Sequence, residues 1–465
     1  MATPLVPPVG TTATPTRVGG LDFDIGISSS LKVDDNFQLD TTSAGTSTIL
    51  DNRLTFNLSS VTGVQDFNVT SSIVYRYASI PGLASLSRPS RTISEFEDPT
   101  IRFSYTRDGF NSKLSINGRY RNVDREFLDP FQIEKEDALA SVNSTSGAFD
   151  TDGGTLTFRN IGLTYQTGIN DPLGFTLGLN HDDKSYSNLT NTTRPLFDNQ
   201  SDSVDLTATF KISPVTQLRL QTGLTDFSTD DTANTERRTL NYSAGVVQDI
   251  NPVLVVDAQL GWTTVDTDTN AGSSQRSGAT GAVKLTQTMN NGTAFASLDS
   301  TLNQNGSRTS LRFGRNLQLP SGTLNASLGA ARTPAGNTQW IAAVAYSHQL
   351  KTSDISVSLN RAVSTTAASQ DVIDTRLSVG YGHEIDNDSR LDLSVNWGKS
   401  ENDVVGGGGT SITRSNLRAS YTRSLTQDWD VTGGVLVRTR DDTSAGSASS
   451  NSLFLTLDRK FNYRP

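Results

Sequence analysis

From Leu21 to the C-terminus the chain alternates apolar and polar residues with a period of two. Leu254, Val256, Ala258, Leu260 and Trp262 share one face, with Asp257, Gln259 and Gly261 on the other. Leu324, Ala326, Leu328 and Ala330 alternate with Asn325, Ser327 and Gly329. Leu391, Leu393, Val395 and Trp397 alternate with Asp392, Ser394 and Asn396. Successive side chains of a strand point to opposite faces, so each segment predicts a strand with one apolar and one polar side. Counting such segments gives about 22 strands, within a range of 20–24, from residues 21–34 to 449–463. The fourth is placed at 99–107. In 155–168 the apolar parity changes between Phe158 and Ile161, which predicts a bulge.

The connections alternate in length. Short turns recur at Asn170-Asp171-Pro172, Ser213-Pro214, Asn251-Pro252, Asn290-Asn291-Gly292, Pro320-Ser321-Gly322, Thr352-Ser353-Asp354, Asp386-Asn387-Asp388 and Thr426-Gln427-Asp428. Between them run longer polar stretches such as Ser79–Asp98, Phe127–Gly154 and Ser185–Ser201. Short turns at one end and long loops at the other predict an all-β fold: a single transmembrane antiparallel β-barrel over 21–465, with its turns periplasmic. A parallel β-helix would need a regular rung repeat, and a string of sandwiches would need linkers. Residues 1–20 hold Pro4, Pro7, Pro8 and Pro15 and read as a flexible periplasmic tail.

Composition changes the picture only by supporting a wet interior. Hydrophobic residues make up 34% of 465, low for a soluble chain of this length, while charged residues are 19% and the net charge −9, modest for a disordered one. Ser, Thr, Asn, Asp and Gly fill the gap, as a polar lumen allows. No run of about 18 apolar residues suggests a membrane helix. Zero Cys excludes disulfides and thiolate metal sites. Met1 is followed by no secretory signal pattern, which reads as a mature chain given a start Met.

Candidate chemistry is sparse. By parity, Arg76, Arg119, Arg121, Arg219, Lys284, Arg312, Arg376, Arg418, Arg438 and Arg440 face the lumen, with Asp205, Asp257, Asp299 and Asp392. Charges lining a pore set ion preference, so the excess of cations points to anionic solutes; Arg–carboxylate ladders bracing the wall are the other reading, and both can hold. Trp262, Trp340, Trp397 and Trp429, with Tyr75, Tyr77, Tyr105, Tyr242, Tyr346, Tyr381 and Tyr421, face outward toward strand ends as aromatic girdles. His348 and His383 fall at the periplasmic interface, and His181 lies beside Asp182 and Asp183 near the outer rim. A hydrolase would need a Ser–His pair on the wall, and the histidine positions argue against one. Gly406–Gly409 lacks the strand, helix and Lys of a phosphate cradle. Acids at the outer strand ends, among them Asp230, Asp231, Asp266, Asp268, Glu401, Asp403, Asp441 and Asp442, read as solvated loops, with cation bridging to lipopolysaccharide as the sharper alternative.

The hairpins Tyr242 to Trp262, Tyr381 to Trp397 and Tyr421 to Arg438 each run aromatic, short polar turn, alternating strand. In this, residues 21–465 resemble the large outer-membrane β-barrel porins found near exopolysaccharide gene clusters. Leu453, Leu455, Leu457, Phe461 and Tyr463 likewise resemble an outer-membrane insertion strand, although Asn462 to Pro465 depart from its usual aromatic end. The resemblance implies a barrel in a Gram-negative outer membrane and a surface-polysaccharide context, and carries over no site residues. TonB-dependent receptors also have 22 strands but add a plug domain, which is not expected here because the alternation begins at Leu21. The loops at 125–154 and 183–202 are the segments that could fold inward; the first carries Phe127, Phe131, Ile133 and Phe149. The function expected is a pore for hydrophilic solutes, anionic saccharides or exopolysaccharide among them, and not an enzyme. The alternative is an anchoring barrel that docks a periplasmic or surface partner. Lipid and lipopolysaccharide are the expected partners, with a periplasmic partner at residues 1–20; no cofactor and no nucleic acid are expected.

Overall fold

The computed structural model describes residues 20–83, 88–129, 131, 153–188, 196–365, 371–402 and 410–463. The tail reading for residues 1–20, Ile133, Phe149, Asp403 and the four-glycine run therefore lie outside the described residues, apart from Gly20. Within them, 22 antiparallel strands run in chain order from β1 (Leu21–Asp34) to β22 (Gly446–Tyr463). Each pairs with its sequence neighbours, and β1 closes the ring on β22 with Phe23 opposite Tyr463 and Asp34 opposite Ser452. Closure pairs every strand on both sides, which is the condition for a sheet to stand in lipid. The ring excludes both the β-helix and the sandwich.

Side chains sort as the alternation requires. Leu21, Ile25, Ile27, Leu31 and Val33 of β1 are exposed on the outer face, as are Leu453, Leu455 and Leu457 of β22. Exposed apolar residues recur around the ring, among them Leu54, Ile161, Leu220, Leu260, Leu298, Phe313, Leu328 and Leu417. A continuous apolar surface of this kind is costly in water and matches the lipid band of a barrel. Turn chemistry shapes the short-turn end of the ring. At Asn290-Asn291-Gly292, Gly292 has φ +131°, and a Cβ there would collide with the backbone carbonyl of Asn316. We expect Gly292→Ala to lower the yield of refolded barrel at least several-fold, measured as the heat-modifiable band, because strain and clash coincide at one position.

Two expectations about strands fail, each for a local reason. β4 spans Arg91–Asp108, eight residues longer at its start than expected. Pro99 reads as a strand boundary, but it occupies a bulge: the register against β3 (Gln65–Ile80) jumps between Ser72 and Val74, and Asp98 takes φ +51°. Proline is tolerated there because a bulge residue owes no ladder hydrogen bond. The second is β6 (Thr155–Thr167), whose registers on both sides are unbroken. There is no bulge; Phe158 simply faces inward and is buried at 5% exposure, while Ile161 faces out.

Candidate functional site

All ten cations assigned to the lumen by parity lie on the face opposite the apolar belt, but they fall into two environments. Around the outer end of β1–β5 and β20–β22 they are buried and engaged. Arg76, 4% exposed, donates to Asp51 at 2.7 Å and pairs with Glu97. Arg121 donates to Asp98 at 2.7 Å, and Arg53 approaches the same carboxylate at 3.3 Å. The bulge serves this pair of contacts, since it turns Asp98 into the lumen. Arg438 donates to Asp34 at 2.7 Å, and Ser450 and Ser452 donate to the same carboxylate at 2.6 and 2.8 Å. Buried charges so partnered are bracing elements whose desolvation is offset only by this geometry.

Two chain segments fold onto that network from the outer side. After β1, Phe37 enters the lumen and packs with Ile49, Ala78, Ile80 and Ile93. Arg438 also donates to the Phe37 carbonyl at 2.9 Å, and the Asn36 side chain donates to the Ser449 carbonyl at 2.9 Å. After β5 (Ser112–Asp124), a single 3-10 turn at Arg125–Phe127 brings Phe127 within 5.1 Å of Phe37, centroid to centroid, and places the Arg76 guanidinium 3.6 Å above its ring. The Asp124 carboxylate caps that turn by accepting from the Glu126 amide. Glu126 pairs with Arg91; its burial pushes the carboxyl above the usual range, against the pull of Arg91. Phe131 reaches across to Ile412 on β20 (Ser411–Ser424). Of the two segments that could fold inward, 125–154 packs its described residues Phe127 and Phe131 against the wall; the loop after β1 was not foreseen, although Phe37 and Leu39 in a polar stretch were its signal.

The remaining wall is wetter. Arg219 pairs with Asp257. Amides form cross-strand chains, as where the Gln259 side chain donates to Gln221 at 2.8 Å and to Ser243 at 2.6 Å. Ser378 donates to Asn396 at 2.6 Å, and Asn396 to Asn416 at 2.7 Å. Inward phenylalanines stand beneath cations: Phe158 under Arg119 at 5.2 Å, Phe295 under Lys284 at 5.2 Å, Phe454 under Arg418 at 4.3 Å. Phe295 lies over Gly314 and Phe454 over Gly434, where any Cβ would strike the ring. These rings break the polar parity of their strands, and that break was the sign of them in the sequence. Arg312 is exposed, and Arg376, Arg414 and Arg440 align across β18 (Asp371–Asp386), β20 and β21 (Trp429–Asp442), with Gly398 of β19 (Ser389–Asn402) between the first two.

On the outer face, Tyr346 stacks on His348 at 6.0 Å and Tyr381 on His383 at 6.3 Å near the short turns, while Tyr242 and Trp262 pair across strands. His181 contacts Asp202 at 2.6 Å, both partly exposed. One expectation needs correction: a Ser–His pair does occur on the wall, with Ser353 Oγ 2.8 Å from His383 Nδ1. The hairpin register places Ser353 opposite His383, which residue types alone did not suggest. Among the described residues no carboxylate lies within 4 Å of His383 to orient it, so the pair lacks the third member of a nucleophilic triad.

No protein-family model and no curated protein matches the chain. Solved structures do. The FrpB iron transporter of Neisseria meningitidis aligns at TM-score 0.59 and 8% identity, over 95% of this chain and 81% of that one. The ferric-catecholate import receptor Fiu of E. coli K12 aligns at 0.57 and 10%, over 96% and 82%. A mutant of the ferric enterobactin receptor PfeA of Pseudomonas aeruginosa aligns at 0.54 and 10%, over 96% and 81%. At these identities the likeness is one of fold, and it favours no porin subtype. Closed ring, outward apolar belt and outer-membrane neighbours together place the chain in a Gram-negative outer membrane as a large β-barrel.

Proposed function

We propose that this barrel is a transport pore for hydrophilic solutes, with a preference for anions, and not an enzyme. The observation that carries the reading is the unequal lumen. One wall is covered at its outer end by Phe37, Phe127 and Phe131, while the wall opposite presents exposed Lys284 and Arg312 among amides and hydroxyls. A structural barrel has no need of exposed cations on its inner wall. Anionic saccharides suit such a wall, since amides bond hydroxyls and cations bond carboxylates. The same chemistry is what an exopolysaccharide context would ask for. The infolded segments would narrow the mouth.

Planar-bilayer conductance of the refolded protein tests this. Stable steps are expected, with a reversal potential of anion-selective sign under a salt gradient. Silence from a folded barrel would sink the pore reading and favour an anchoring barrel whose tail at residues 1–20 docks a periplasmic partner. A second reading, uptake of a ferric chelate, is favoured by the fold shared with a ferric enterobactin receptor over most of both chains. Uptake of radiolabelled ferric catecholate by cells expressing the chain, against a strain without it, separates the two.

A further inference from the structure

The register of the hairpins brings together one set of groups that the bracing network does not use. Lys284 on β12 (Gly272–Met289) stands opposite Ser297 on β13 (Gly292–Asn303), and Ser297 stands opposite Arg312 on β14 (Gly306–Leu319). All three belong to the inward face, so they form one row across three strands, with the two cations ~10 Å apart at Cβ. The row sits five residues above the Asn290-Asn291-Gly292 turn on β13, well inside the lipid-spanning part. Lys284 and Arg312 are exposed, unlike the buried Arg76, Arg414 and Arg440.

The neighbouring acids are already committed. Asp257, opposite Lys284 on the other side, is held by Arg219. Asp299, two residues above Ser297, accepts from the Ser310 hydroxyl at 2.7 Å. Among the described residues no carboxylate lies within 4 Å of Lys284 or Arg312. Beneath the row, Phe295 lies against the wall over Gly314 and holds the Lys284 ammonium 5.2 Å above its ring. The ring restrains the lysine by a cation–π contact without neutralising it. Two cations without a salt bridge among the described residues thus flank a hydroxyl on a stretch of wall that Phe37, Phe127 and Phe131 do not cover.

We infer that Lys284, Ser297 and Arg312 form an oxyanion-binding station for a carboxylated saccharide in transit. The Arg312 guanidinium offers a planar fork to a carboxylate, Lys284 a point charge, and Ser297 a hydroxyl that donates or accepts. The inference rests on the pore reading only in supposing that solutes reach this depth from either mouth.

Equilibrium binding to the refolded barrel in detergent micelles tests the station without requiring conduction. The probes are trigalacturonate, neutral maltotriose and inorganic phosphate, titrated by calorimetry. Trigalacturonate is expected to bind and maltotriose not. K284Q/R312Q is expected to weaken trigalacturonate about tenfold or more, the scale of charge-assisted contacts in a wet site. Arg459→Gln, on the outer face, is expected to leave binding unchanged and serves as the control for a lost charge. Phosphate competing with trigalacturonate would assign the station to oxyanions at large, while trigalacturonate binding that phosphate does not displace would assign it to the saccharide acid. A flat trigalacturonate titration of the folded wild type, or equal affinity in K284Q/R312Q, overturns the inference. Binding in a barrel that conducts no current would leave the station standing and remove the pore.

Discussion

Asp34→Ala is expected to destabilise the refolded barrel by about 3 kcal/mol, the low end for breaking a buried ion pair and leaving its partner charge uncompensated. The Asp34 side chain is 0% exposed and stands where β1 meets β22. Its two oxygens accept from Arg438, from the hydroxyls of Ser450 and Ser452, and from the Asn36 amide at 3.0 Å. Alanine strips all four donors of their acceptor at once. The loss falls on the seam that turns a sheet into a barrel, and on the turn that leads Phe37 into the lumen. The low end applies because the Arg438 side chain remains 20% exposed and keeps the Phe37 carbonyl. Asp34→Asn keeps an acceptor oxygen and should recover part of the loss. Denaturant unfolding in micelles, followed by tryptophan fluorescence, reads both; a midpoint for Asp34→Ala equal to wild type would show that the seam stands without this carboxylate.

Most of the fold was legible in the sequence because a barrel strand writes its two environments into alternate residues. Leu254 to Trp262 and Leu391 to Trp397 needed nothing beyond a period of two. What escaped was written in single residues whose meaning depends on a partner far along the chain. Pro99 marks a strand end by local rules, yet opposite Ile73 it sits in a bulge that aims Asp98 at Arg121. Phe158 looked like a parity error because a phenylalanine on the polar face has no local explanation; Arg119 and Lys184 supply it from the adjacent strands. Parity put the ten cations on one face of their strands, but it could not divide the buried, paired ones from the exposed Lys284, Arg312 and Arg418. That division depends on which wall the loops cover, and on the register that sets Ser297 between Lys284 and Arg312. The Ser353–His383 contact is of the same kind, a product of register across one hairpin.

The double variant Phe127→Ala/Phe131→Ala is expected to raise single-channel conductance and its noise while leaving the barrel folded. The contacts that hold the segment after β5 to the wall include Phe127 on Phe37 and under Arg76, Phe131 on Ile412, the Glu126–Arg91 pair and the Gln38 side chain donating to Glu126 at 3.3 Å, while Arg125 donates to the Gly153 carbonyl at 3.1 Å. Removing a buried phenylalanine costs ~3–5 kcal/mol in a sealed core. Phe127 is only partly buried and Phe131 7% exposed, so about 2 kcal/mol each is a fairer figure at this open mouth. Even that sum shifts the docked-to-undocked ratio about a thousandfold, since each 1.4 kcal/mol is a factor of ten. The Glu126–Arg91 pair and the Gln38–Glu126 hydrogen bond survive the change, but both are partly exposed and contribute less than the two rings. No strand residue is altered, so the barrel's denaturation midpoint should move far less than in Asp34→Ala. If conductance is unchanged in the double variant, the segment does not limit flow, and the constriction belongs to the arginine-lined wall itself, where Arg376, Arg414 and Arg440 would be the residues to change next.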